Sequence, residues 1–267
     1  MRVVLISRIL PAVLGYTALL RDLGHEPVAL LCTGDRASLG EVVAGAPPEL
    51  DVVIPASRER VAPLLRAFDP DVAFCTGFPW KIPAEAIAVP RHGIVNGHPS
   101  LLPRYRGPSP VAWAIRNGET EIGFTFHYMD AELDTGNVLG QVRIPLDDEH
   151  GWEELEPKFG PAIGSIFPTV VERVERGDPG DAQSEDGASY FSFFDPEFAW
   201  IDRSRPVVEI ARQVRAWRFH VQGDPQGALT ELDGETVRVL RASLEPTGGR
   251  ALECADGTLW IVESEPA

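Results

Sequence analysis

The chain is poor in cysteine, in lysine and in long apolar runs. Its three cysteines, Cys32, Cys75 and Cys254, are far apart, odd in number and without CxxC spacing. That excludes a disulfide framework and a zinc knuckle, and it fits buried apolar thiols in strands of a protein kept in a reducing cytoplasm. Nowhere do His, Cys and Asp cluster at ligand spacing, so no metal is expected. Lys81 and Lys158 are the only lysines, and the 24 Lys+Arg face 40 Asp+Glu for a net charge of −16. A chain this acidic repels phosphate backbones and anionic lipid unless its cations are segregated on one face. No apolar run reaches the ~18 residues of a membrane span. The stretch from Ile9 to Leu20 imitates a signal-peptide core, but Pro11 and Gly15 interrupt it and no small-residue cleavage site follows before Arg21. A GxGxxG turn is also missing. Ser7, Arg8, Ile9, Leu10 and Pro11 follow the first apolar run instead, which removes support for a dinucleotide or P-loop reading.

What is present is globular: 44% hydrophobic and 24% charged residues over 267 positions, enough for one large domain or two modest ones. Residues 1–90 alternate apolar runs (Arg2–Ile6, Val28–Cys32, Asp51–Ile54, Asp71–Cys75) with helical patterns (Pro11–Leu23, and Ser57 as N-cap of a helix through Phe68). Continuous apolar strands separated by helices predict a parallel α/β sheet covered on both faces, with ligands at the strand ends. A fifth strand is predicted over Gly93–Gly97, a helix over Ser109–Asn117, and two alternating strands, Glu121–Met129 and Val138–Ile144, pairing as edge strands around a loop. Residues 149–176 are helical in pattern but broken by Pro157, Pro161 and Pro168. Gly177–Gly187 reads as a polar linker and Arg205–Phe219 as a helix. After Gly223, Asp224 and Pro225 come short runs at Ala228–Leu232, Thr236–Leu240, Ala251–Cys254 and Thr258–Val262, a small β appendage. The expected division is 1–180 for the main domain, 181–222 for a linker and connecting helix, and 223–267 for the appendage.

The densest chemistry lies in the segment from Asn96 to Gly107, NGHPSLLPRYRG. Asn96 and His98 are two apart at a strand end, so their side chains share a face, and Gly97 leaves the other side open to close approach. An amide donor beside an imidazole suits the oxygen of a carbonyl becoming tetrahedral. An acidic patch, Asp130 to Gly136 (DAELDTG), lies at another strand end, and a carboxylate from it could orient the histidine or take a proton from an attacking amine. The same spacing also suits turn and capping chemistry. His25, His92, His127, His150 and His220 read as structural.

These two segments carry a resemblance to the folate-dependent formyltransferase family, which includes enzymes acting on methionyl-tRNA, on glycinamide ribonucleotide and on amino sugars. The run from Asn96 to Gly107 is similar to the family's N-x-H…SLLP-x-x-x-G element, and Leu133, Asp134, Thr135 and Gly136 to its L-D-T-G element, in the expected order. The resemblance implies a Rossmann-like, mostly parallel sheet with a C-terminal β appendage that is a truncated form of an OB-like barrel. It implies formyl transfer from 10-formyltetrahydrofolate to an amine, with Asn96, His98 and Asp134 as the catalytic trio. It further implies a folate pocket between Phe78, Trp80, Lys81 and Ile82 on one side and Met129, Asp130, Ala131 and Glu132 on the other.

Family resemblance fixes the donor better than the acceptor. Residues 206–267 carry six arginines, no lysine and ten carboxylates, and the remainder is acidic too. Neither part suits a nucleic acid. The expected acceptor is therefore a small amine or hydroxylamine, with Arg8, Ile9, Arg104, Tyr105 and Arg106 on the acceptor side and the arginines as a local anion site. Formylation of methionyl-tRNA is the alternative, hydrolysis of the formylfolate a lesser one, and a non-catalytic binding module on the same fold a third. The appendage is open to three roles: forming a homodimer, capping the site, or none.

Overall fold

The computed structural model describes residues 1–34, 36–146, 151–220 and 227–267, so His150 and the turn at Gly223, Asp224 and Pro225 lie outside the described residues. In chain order the elements are β1 (Arg2–Ser7), α1 (Leu10–Asp22), β2 (Glu26–Leu31), α2 (Arg36–Gly45), β3 (Asp51–Val53), α3 (Val61–Phe68), β4 (Val72–Thr76), α4 (Ala84–Ile87), β5 (Ile94–His98), α5 (Pro110–Arg116), β6 (Glu121–Tyr128), β7 (Val138–Pro145), α6 (Trp152–Glu175), α7 (Val207–Trp217), β8 (Ala228–Leu232), β9 (Glu235–Ser243), β10 (Arg250–Glu253) and β11 (Thr258–Pro266). They form a seven-stranded sheet, β3-β2-β1-β4-β5-β6-β7, and a four-stranded sheet, β10-β11-β9-β8.

The chain divides into two compact units. One comprises Met1–Arg104, Gly123–Arg143 and Phe159–Ala188; the other comprises Tyr105–Ile122, Ile144–Lys158 and Ser189–Ala267. The first is built on the parallel strands β3-β2-β1-β4-β5, with β6 antiparallel to β5. Alternation along each strand sorts side chains onto two faces. Val4, Ile6, Ala73, Cys75 and Ile94 meet Val61, Ala62, Leu65 and Ala86 from α3 and α4 in one buried cluster. On the opposite face Phe74 and Phe126 pack with Tyr16 of α1 and Phe167 of α6. Ring centroids there lie 5.2 Å apart for Tyr16–Phe167, 5.1 Å for Phe74–Phe167 and 5.5 Å for Phe126–Phe167. Helices thus cover both faces, as the apolar strands required.

Several expectations are corrected. β6 is not an edge strand, because β5 flanks it on the side away from β7. Ser57 precedes a 3-10 turn, Arg58–Arg60, and makes no capping hydrogen bond. α6 runs unbroken through Pro157, Pro161 and Pro168. Burial of Phe167, Val170, Val171 and Val174 along one stripe outweighs the hydrogen bonds those prolines remove. α2 and α4 carried too weak a period to be seen. Cys32 and Cys75 are buried, but Cys32 lies just past β2, and Cys254 is half-buried and lies just past β10.

The second unit assembles α5, α7 and the all-antiparallel β8–β11 sheet, with α7 packed on β8, β9 and β11. Trp113, Phe191, Phe194, Phe198, Trp217 and His220 form its aromatic core, and His220 Nε2 accepts the Phe194 amide at 2.9 Å. No described helix is long and apolar enough to cross a membrane.

Replacing Phe167 by alanine removes the ring that Tyr16, Phe74 and Phe126 share. The expected loss is about 3–5 kcal/mol of unfolding free energy, read from urea denaturation.

Candidate functional site

β1 turns the chain toward β2 and β3, whereas β4 turns it toward β5, so the sheet's switch point lies between β1 and β4. In open α/β sheets the crevice beyond that point takes ligands. Ile9, just after β1, lies over Gly77, just after β4. Gly77 has φ 62°, and a Cβ there would fall 2.4 Å from the Ile9 side chain.

On β5, Asn96 and His98 face the same way. Gly97 between them is closed from behind: a Cβ would sit 2.7 Å from the Phe124 ring and 2.9 Å from the Tyr16 hydroxyl. The antiparallel register sets His127 of β6 opposite Asn96 and Thr125 opposite His98. The loop after β6 then returns Asp134, so that its Oδ1 lies 3.4 Å from Asn96 Nδ2, 3.6 Å from His98 Nδ1 and 3.5 Å from His127 Nε2. The side chains of His98, His127 and Asp134 are only 6%, 1% and 12% exposed, so the Asp134 carboxylate acts in a poorly screened setting. Burial first, and the charge of Asp134 second, push the nearby Cys75 thiol well above its ordinary value, which makes it an inert bystander.

The histidine that sequence reasoning set aside is therefore part of the cluster. His127 Nδ1 is 2.8 Å from the Tyr128 carbonyl, which can only accept, so that nitrogen carries the hydrogen. Nε2 is then free to accept from Asn96 Nδ2 at 3.1 Å. This fixes which way the Asn96 amide points and leaves its second hydrogen on the looser Asp134 contact. The signal was one of register: His127 looked like any buried strand residue until pairing with β5 was known.

Asp134 is held by its loop. It adopts φ 59°, the left-handed region, which Asp tolerates better than most residues. Asp130 Oδ1 accepts from the Glu132 amide at 3.1 Å and the Thr135 hydroxyl at 2.7 Å. Gly136 passes so close to Tyr128 that a Cβ would meet its carbonyl oxygen at 1.9 Å. Gln183, from the stretch read as a linker, donates Nε2 to the carbonyls of Asp134 at 2.9 Å and Gly136 at 2.8 Å. Nothing in that stretch marked Gln183 in advance.

The proposed folate walls are also neighbours. Phe78 and Trp80 meet edge to face at 5.7 Å, Ile82 is buried, and Phe78 and Met129 pack on the cluster that holds Ile82. Lys81 and Glu132, both exposed, approach to 4.0 Å, so the two loops face each other. Asp130 and Ala131 are exposed. Of the residues expected on the acceptor side, Arg8 is half-buried and Arg104 exposed. In the second unit Tyr105 and Arg106 are buried. The Tyr105 hydroxyl donates to Glu119 at 2.6 Å and accepts from Asn117 at 3.1 Å, while the Arg106 backbone pairs with Ser189 and Phe191. Among the described residues no group of three side chains could hold a metal ion.

The family profile described as Formyl transferase matches residues 54–171. A methionyl-tRNA formyltransferase of Ruegeria pomeroyi is 34% identical over 248 residues, covering 89% of this chain and 80% of its own. The chain belongs to the formyl transferase family. A methionyl-tRNA formyltransferase of Burkholderia multivorans is 35% identical over 215 residues, 79% of this chain, and the match spans 62% of that protein's length. The crystal structure of WlaRD, a sugar 3N-formyl transferase solved in the presence of dTDP and 5-N-formyl-THF, shares the fold with a TM-score of 0.72 at 20% identity, covering 99% of this chain and 97% of that one.

Gln183→Ala strips both carbonyls of their donor. Amides 130–137 should then exchange hydrogen roughly tenfold faster or more, read by exchange mass spectrometry, while the core strands keep their protection.

Proposed function

We propose that this chain transfers a formyl group from 10-formyltetrahydrofolate to an amine. The observation that carries the reading is the convergence of Asn96, His98 and Asp134 within 3.6 Å contacts in a member of this family. The residues fit the folate: Phe78, Trp80, Ile82 and Met129 give apolar walls for a flat ring system, and the facing loop backbones around Asp130, Ala131 and Glu132 offer polar groups at the rim.

When bound, that donor supplies an electrophilic formyl carbon. The chain's own groups do the rest. Asn96 and His98, on one face of a rigid strand, aim two donors at one point, where oxygen gains charge as an amine adds. The Asp134 contact at 3.4 Å is the looser of the two Asn96 donations, so a rotation of the whole amide plane gives up that contact for the oxygen. In this reading His98 acts protonated with its Nδ1 beside Asp134, and Asp134 accepts the amine proton, directly or through a water; that proton passes to the tetrahydrofolate nitrogen as its bond to the formyl carbon breaks.

The acceptor we propose is a small amine, such as an amino-sugar nucleotide, an N-hydroxyornithine-type side chain or a specialised-metabolite amine. The net charge of −16, and the ten carboxylates against six arginines in residues 206–267, support it. Arg8, Ile9 and Arg104 are assigned to the acceptor side, with Tyr105 and Arg106, being buried, shaping the loop they share with Arg104. Formylation of methionyl-tRNA is the second reading, favoured by the activity of the sequence relatives. The chain is proposed to work in the cytoplasm.

Asn96→Ala and His98→Ala should each lower turnover by ~10²–10³ with unchanged unfolding midpoints. Near-normal turnover in His98→Ala would end the assignment. A panel of amino-sugar nucleotides, hydroxyornithine and charged initiator tRNA, each with the formylfolate, decides the acceptor. We expect product with a small amine. Rapid formation of formyl-methionyl-tRNA sinks that choice, and formate release without any amine marks hydrolysis instead.

A further inference from the structure

The second unit contains a cavity of about 350 Å³ that shares no residue with the trio. Arg116 and Asn117 at the end of α5, and Arg205, Glu209 and Arg212 along α7, line it, with Trp113 and Phe198 as walls. Three guanidiniums and a single carboxylate gather here in a protein of net charge −16. Glu209 is already paired with Arg205, one turn away. Among the described residues neither Arg116 nor Arg212 has a carboxylate partner.

Both are nevertheless held in place. The Arg116 guanidinium lies 3.8 Å from the Phe198 ring centroid and 4.5 Å from that of Trp113, a cation–π clamp. Burial first, and then the charge of Arg205, push its pKa down. The Arg212 guanidinium lies against Gly118, whose φ is 71° and where a Cβ would come within 2.5 Å of it. Arg212 Nε is buried without a hydrogen-bond partner. The carbonyls ending α5 supply part of a negative charge, too little to balance three cations. Partly buried guanidiniums that are held in place and outnumber the carboxylate beside them suit an anion.

We propose that this cavity binds a phosphate-bearing small molecule, its phosphate gripped by Arg116 and Arg212 and its organic part lying along Trp113 and Phe198. The volume exceeds what a bare phosphate needs and falls at the small end of ligand pockets.

The test is calorimetric titration of the full chain at fixed ionic strength with three probes: inorganic pyrophosphate, uridine diphosphate and a short single-stranded RNA. The first two should bind saturably. Arg116→Gln and Arg212→Gln should each weaken binding about tenfold or more, and Asn96→Ala should leave it unchanged. Arg205→Gln reads the same cluster if either of the first two variants fails to fold. The proposal falls if neither pyrophosphate nor uridine diphosphate binds, if folded arginine variants bind as the parent does, if Asn96→Ala abolishes binding, or if the RNA binds more tightly than uridine diphosphate.

Discussion

The carboxylate of Asp134 is the point on which the candidate site turns. Its Oδ1 stands within 3.4–3.6 Å of an amide and two imidazoles, carried there by a backbone in the left-handed region that its surroundings hold in place. Those surroundings are local and specific: the Gly136–Tyr128 contact, the Asp130 turn, and two hydrogen bonds from Gln183. Strand β5 offers Asn96 and His98 as fixtures; the loop brings the charge to them.

The two sides of the site differ in kind. Asn96, His98 and His127 ride on paired strands of a packed sheet, whose back is filled by Tyr16, Phe74, Phe126 and Phe167. Their spacing is fixed by register and cannot drift without breaking the ladder. The loops at 78–82 and 129–132 are joined less firmly, the first holding an edge-to-face ring pair and the two meeting through an exposed ion pair that contributes little by itself. Under the proposed function the rigid side would do the chemistry and the adaptable side would bind, a division that would let one chemistry serve different amines.

Much of this was legible in the sequence. Apolar strands alternating with helices gave the parallel sheet, and the family resemblance carried by the N-x-H and L-D-T-G elements pointed to Asn96, His98 and Asp134, which the structure brings together, because both signals are local. What escaped depends on contacts distant in sequence. His127 joins the cluster through pairing with β5, and Gln183 through a loop it meets 49 positions away. α6 was misread as broken because proline cost is visible in a sequence whereas the compensating burial of Phe167 and Val170 is not. Tyr105 and Arg106 were expected on the acceptor side, yet both side chains are buried, because their contacts to residues distant in sequence are invisible in a local motif.

That Gln183 lies beyond the end of α6 has a consequence for how the module can be moved between proteins. A graft that stopped at Glu175 would carry every strand of the large sheet and every residue of the trio. It would still leave behind the clasp on the acidic loop. The indivisible inheritance of this site runs through the stretch that looks most like a spacer.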